Sequence, residues 1–109
     1  MNKTNDKDFY KEVVEQKGLT LVKFEAEWCS PCKALAPVLE DLSKEYENRI
    51  QFLKVDIDES QDTAQLYSVR SIPTLLLFKD GLIIERVVGV VGKAKMQELL
   101  DGVLEDGEE

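Results

Sequence analysis

Three apolar runs of strand length, Leu19–Ala26, Ile50–Ile57 and Thr74–Phe78, are separated by stretches patterned as helices. This alternation leaves very few folds open. Strands joined through helices pair in parallel with right-handed crossovers, so the first two runs are expected side by side in one sheet. The third run is followed by Lys79-Asp80-Gly81, an Asp-Gly hairpin turn, and by a return strand, Leu82–Val88. The closing pair is therefore antiparallel, which predicts a mixed sheet with helices on both faces. The helices read as residues 6–17, Lys33–Glu47, Glu59–Ser68 and Lys93–Leu104. The first spaces Phe9, Tyr10, Val13 and Val14 at i, i+1, i+4 and i+5 with charges between them, and is stopped by Gly18. The second carries Leu35, Val38, Leu39, Leu42 and Tyr46 on one stripe, with Pro37 predicting a kink. Asp58-Glu59-Ser60-Gln61 has the form of a capping box for the third. At 109 residues the chain reads as one α/β domain with a single core. Its acidic end, Glu105–Glu109, is expected to fray.

Both cysteines of the chain, Cys29 and Cys32, fall at the corner between the first strand and the second helix. Two thiols at C-x-x-C spacing there can close a small disulfide ring, with the first facing solvent and the helix N-terminus. Free backbone N–H groups and the positive end of the helix dipole favour a thiolate at that place. The spacing also serves metal sites. A zinc site usually takes four N/S ligands, however, and the chain has no His and no third Cys. The pair reads as a redox dithiol, with a bridged metal or an inert structural disulfide as the alternatives. No metal and no cofactor is expected.

Charge narrows the partners. With 14 basic and 22 acidic residues the net charge is −8, which argues against nucleic acid or an anionic membrane. The opening Asn2-Lys3-Thr4-Asn5-Asp6 is polar and carries no secretory h-region, and no apolar run approaches transmembrane length. Two cysteines in a chain of this type suit a transient, catalytic disulfide and a cytoplasmic location.

Ala26-Glu27-Trp28-Cys29-Ser30-Pro31-Cys32-Lys33, Pro37, Ile72-Pro73-Thr74, Asp80-Gly81 and Val88-Gly89 together resemble the thioredoxin family over nearly the whole chain. The resemblance implies the thioredoxin fold, a mixed four- to five-stranded sheet flanked by four helices on both faces. It also implies a protein-disulfide reductase working through a mixed disulfide. On that likeness Cys29 is the exposed nucleophile and Cys32 the buried resolving thiol. Pro73 is the cis-proline facing the dithiol, and Trp28, Ser71, Ile72, Pro73, Val88 and Gly89 form the substrate groove. The partners implied are disulfide-bearing target proteins and a thioredoxin reductase-like electron donor, with the protein acting as a monomer. An oxidase or isomerase of the same fold, a redox-independent binding module and an iron–sulfur cluster shared between two chains are the rival readings.

Three features depart from the family pattern. Ser30 stands where Gly is commonest, before Pro31, and residues between the cysteines tune redox poise. The polar start is a poor match to the family's first strand, which is expected to be absent or a short edge. Lys23 replaces the usual buried Asp, and Glu25 replaces a frequent Trp. Strand parity puts Lys23 and Glu25 on one face, and Lys54 and Asp56 on one face of the neighbouring strand. Either the four form a neutral quartet tuning the thiols, or Lys23 and Glu25 reach solvent past the sheet's end.

Overall fold

The computed structural model describes residues 1–107. Within them β1 (Asn2–Thr4), β2 (Leu19–Glu25), β3 (Ile50–Asp56), β4 (Thr74–Lys79) and β5 (Leu82–Val88) form one sheet, in the spatial order β1-β3-β2-β4-β5. β1, β3 and β2 run parallel, while β4 is antiparallel to β2 and β5 to β4. Three helices join them: α1 (Ser30–Glu45), α2 (Gln61–Leu66) and α3 (Lys93–Gly107).

Side chains alternate between faces along a strand, so each central strand feeds two cores. Leu21, Phe52, Leu75 and Leu77 pack against Leu35, Leu39 and Leu42 of α1 and Met96 and Leu100 of α3. Val22, Phe24, Leu53, Val55, Leu76 and Phe78 meet Phe9, Val13 and Ala64 on the other side. With both faces covered, β2 is buried from Thr20 to Phe24 and β4 from Thr74 to Phe78, whereas the edge strand β5 is mostly exposed. The turn between β4 and β5 holds both central residues in the left-handed region, Asp80 at φ 51° and Gly81 at φ 83°. That is the twist an Asp-Gly hairpin supplies. Asp80 is also locked to the loop before β2, accepting from Gly18 N–H at 2.7 Å and donating to Gly18 O at 2.9 Å.

The four helical elements differ from the sequence expectation. The helix expected over 6–17 narrows to a π-helical turn, Tyr10–Val14, in which Glu15 N–H reaches back to Tyr10 O at 2.9 Å. That widened register buries Phe9 and Val13 and leaves Tyr10 exposed. The first strand, expected to be absent or a short edge, is present as the short edge strand β1 and brings the sheet to five strands. An edge strand needs only its backbone groups on β3, so the polar Asn2 and Lys3 are tolerated there. α1 starts three residues before the expected Lys33, because Cys29 serves as its N-cap and Pro31 lies in the first turn, where its missing N–H costs no helical bond. The helix then runs on through Pro37.

The capping box at Asp58–Gln61 is not formed. Ser60 is the N-cap of α2, but its buried hydroxyl finds no partner among the described residues. Asp6 fills that role from the start of the chain, accepting from Thr63 Oγ1 at 2.6 Å, Thr63 N–H at 2.8 Å and Asp62 N–H at 3.2 Å. Desolvation pushes the Asp6 carboxyl up, but these hydrogen bonds outweigh it and hold the group below its ordinary value. At the other end, α3 passes the expected stop at Leu104 and continues through Glu105 to Gly107; Glu108 and Glu109, also read as part of a fraying tail, lie outside the described residues.

Tyr46, which closes α1, is 2 % exposed and donates to Asp101 Oδ1 of α3 at 2.6 Å. Burial first, and the Asp101 carboxylate second, push its phenol up to about 12. A raised folded-state pKa means that the neutral phenol's contribution is intact below pH ~10, the value of a free tyrosine, and is lost as pH climbs toward 12. Wild type is expected to lose stability between pH ~10 and ~12 faster than Tyr46→Phe, measured by urea denaturation. Parallel curves for the two proteins would refute this.

Candidate active site

β2 ends beneath the first turn of α1, and the chain between them carries Trp28 and Cys29. Cys29 adopts an extended conformation as N-cap, and its sulfur accepts from Cys32 N–H at 3.1 Å. Cys29 and Cys32 are joined by a disulfide, with Cα atoms 5.3 Å apart. The sulfur of Cys29 thus already sits at the helix mouth, where the N–H that it accepts would face a thiolate after reduction. Exposure does not distinguish the two: Cys29 is 4 % and Cys32 2 % exposed. The expectation of a solvent-facing Cys29 is not met in this disulfide form. Position separates them instead, with Cys29 at the cap and Cys32 inside the first turn.

The surroundings come from three loops. Ala26, Ile57 and Ile72 pack against the two cysteines. The Ile72–Pro73 peptide is cis. Pro73 is buried, and its carbonyl accepts from Gly89 N–H at 2.9 Å, tying the end of β5 to the start of β4. Ser71 is exposed, and its carbonyl accepts from Thr74 Oγ1 at 2.6 Å. Val88 stands opposite Thr74 and is 59 % exposed, while Trp28 is 67 % exposed. Ser30 and Pro31 are exposed in the first turn of α1. Asp58 was missed as a site residue, since the sequence suggests only a cap there. Its Oδ2 accepts from Trp28 Nε1 at 2.8 Å and so fixes the indole beside Cys29.

Neither expectation holds for Lys23, although Glu25 does keep part of its side chain in solvent. Lys23 does not reach solvent: it is 3 % exposed, lies 2.7 Å from Glu25 Oε1 and donates to Cys32 O at 2.9 Å. The quartet does not form either. Asp56 is buried, but its Oδ1 accepts from Asp58 and Glu59 N–H, so it organises the loop after β3. Lys54 stands opposite Lys23 in the sheet and lines the same cleft, without an ion pair to Glu25 or Asp56 among the described contacts.

A disulfide in the first turn of a helix, at the end of a central strand and beside an exposed apolar rim, defines a thiol–disulfide oxidoreductase. The thioredoxin family model matches residues 1–102. The chain is 48% identical to a thioredoxin of Buchnera aphidicola subsp. Acyrthosiphon pisum (strain APS) over 88% of its own length and 89% of that protein. It is 44% identical to thioredoxin C-2 of Corynebacterium nephridii, over 90% and 91%. A Staphylococcus aureus thioredoxin (strain Mu50 / ATCC 700699) is 48% identical, over 91% and 93%. The chain belongs to the thioredoxin family. It is accordingly a protein-disulfide reductase, acting on disulfide-bearing targets and recharged by a reductase partner.

Proposed function

We propose that Cys29 is the nucleophile and Cys32 the resolving thiol. The observation that carries this is the Cys32 N–H held 3.1 Å from Cys29 Sγ at the N-cap of α1. In the reduced protein the Cys29 thiolate attacks one sulfur of a target disulfide. A new S–S bond forms, the target bond breaks, and its electron pair leaves on the second target sulfur, which takes a proton from solvent. Cys32 then loses its proton and attacks Cys29 Sγ, releasing the first target sulfur and closing the Cys29–Cys32 bond. Because Cys32 is tethered 5.3 Å away at its Cα, this second step avoids the entropy loss of a bimolecular encounter. The target gains two electrons, and a thioredoxin reductase-like donor returns two to the oxidised protein. No cofactor takes part in the exchange.

Trp28, Ser30, Pro31, Ser71, Ile72, Pro73, Val88 and Gly89 form the docking rim for the target, with the exposed apolar surface of Trp28 and Val88 as its anchors. We place the protein in the cytoplasm as a single-domain monomer. Support comes from both exchanging sulfurs lying in one helix turn of the same chain and from cysteine usage confined to that pair. No helix of the described residues is long and apolar enough to cross a membrane. The net charge of −8 disfavours nucleic acid.

Limiting iodoacetamide, added briefly to the reduced protein, is expected to label Cys29 first, since the helix mouth favours its thiolate. Preferential labelling of Cys32 would overturn the assignment of roles.

A further inference from the structure

A lysine with 3 % of its surface exposed is rare, because taking an ammonium out of water costs several kcal/mol unless it is paired. Lys23 has two partners, and both bear on the exchange centre. Its Nζ holds the carbonyl of Cys32 at 2.9 Å and the carboxylate of Glu25 at 2.7 Å. The pair is asymmetric. The cation lies in the interior under the first turn of α1, whereas the Glu25 side chain keeps 22 % of its surface in solvent. Water screens the carboxylate more than the ammonium, so the net field at Cys32 is positive. Both charges border a cleft of about 440 Å³ that also reaches Cys32.

We propose that Lys23 is a positioning residue for the resolving step. It fixes the first turn of α1 through the Cys32 carbonyl and favours the thiolate of Cys32, and Glu25 sets how strongly by compensating its charge. The other charges on the cleft are Glu27 from the loop before α1, Lys33 from α1 and Lys54 from β3. Asp56 is committed to the loop after β3, and Ala26, Ile57 and Ile72 add only apolar packing around the two cysteines. Lys23 and Glu25 are therefore the pair whose removal changes the field at Cys32 in opposite senses.

This rests on Cys32 being the resolving thiol, and the test separates the two ideas. Reduced protein is mixed with the aromatic disulfide dithiobis(nitrobenzoate). The first cysteine to react forms an adduct and releases one coloured thiolate. The second loses its proton and attacks the cysteine Sγ of the adduct; the protein disulfide closes and the aryl sulfur leaves with the electron pair as a second coloured thiolate. The rate of that second release is followed against pH. In Glu25→Gln the buried ammonium is uncompensated, and the midpoint is expected to fall by about one pH unit. In Lys23→Met the carboxylate is left alone, and the midpoint is expected to rise by about as much. The double variant should return to within about half a unit of wild type. Midpoints unmoved in both single variants, or moved in the same direction, overturn the proposal. Glu25→Gln alters a partly solvated side chain, so the Gln arm still decides if Lys23→Met fails to fold. A first adduct mapped to Cys32 by mass would instead overturn the assignment of roles, whatever the midpoints do.

Discussion

Cys29→Ser is expected to lose reduction of a protein disulfide by at least about 10³-fold, because the group that opens the target bond is gone. Cys32→Ser should fail differently. Its Cys29 still attacks, but nothing in the first turn can resolve the adduct, so a covalent complex accumulates at one target per protein. Turnover then falls to whatever external thiols release. The asymmetry follows from the geometry: Cys29 caps α1 with its sulfur on a backbone N–H, and Cys32 lies inside that turn under Ile57 and Ile72. Equal loss in both variants with no adduct in either would show that the two sulfurs do not have separate roles.

The second large effect is on stability. Gly81→Ala is expected to cost about 2–5 kcal/mol, from two independent sources. Gly81 sits at φ 83°, where a Cβ adds roughly 1–2 kcal/mol of strain. That Cβ would also overlap the carbonyl oxygen of Val14, which is backbone and cannot rotate away. Relief requires the hairpin or the π-helical turn to shift, with an overpacking cost of roughly 1–3 kcal/mol. Gly18→Ala isolates the first source, since φ is 84° there but nothing lies within 4 Å of the added carbon. Gly92→Ala has neither problem and should stay within about 0.5 kcal/mol of wild type. Urea midpoints should rank Gly92→Ala, Gly18→Ala, Gly81→Ala in falling order. A Gly81→Ala protein as stable as Gly18→Ala would mean that the hairpin is not wedged against Val14.

The parts of the fold that could be read from the chain are those where pattern and packing agree. The buried runs of β2 and β4, the stripe of α1 and the Asp80-Gly81 turn each have a local signal that tertiary contacts reinforce. β1 was hard to see because its contribution is backbone pairing on β3, which leaves no trace in Asn2 and Lys3. The π register at Tyr10–Val14 was equally hidden, since Phe9 and Val13 fit a regular helix as well. Ser60 offers a cap in sequence, yet Asp6 does the capping across more than fifty residues, and such long-range partners have no spacing rule. At the site, Cys29, Cys32 and Pro73 stood out by motif. The Lys23–Glu25 pair did not, because parity gives a shared face but not which charge another will choose. Lys23 took the neighbour on its own strand and a helix carbonyl, leaving Lys54 and Asp56 out.

The division of labour between the two cysteines is tested most directly by quenching reduced wild-type protein in acid during turnover of a disulfide-linked peptide and mapping the covalent adduct by mass. The peptide should be found on Cys29, with Cys32 free or already bridged to Cys29. A peptide on Cys32, or full turnover with no adduct at either cysteine, would contradict the account.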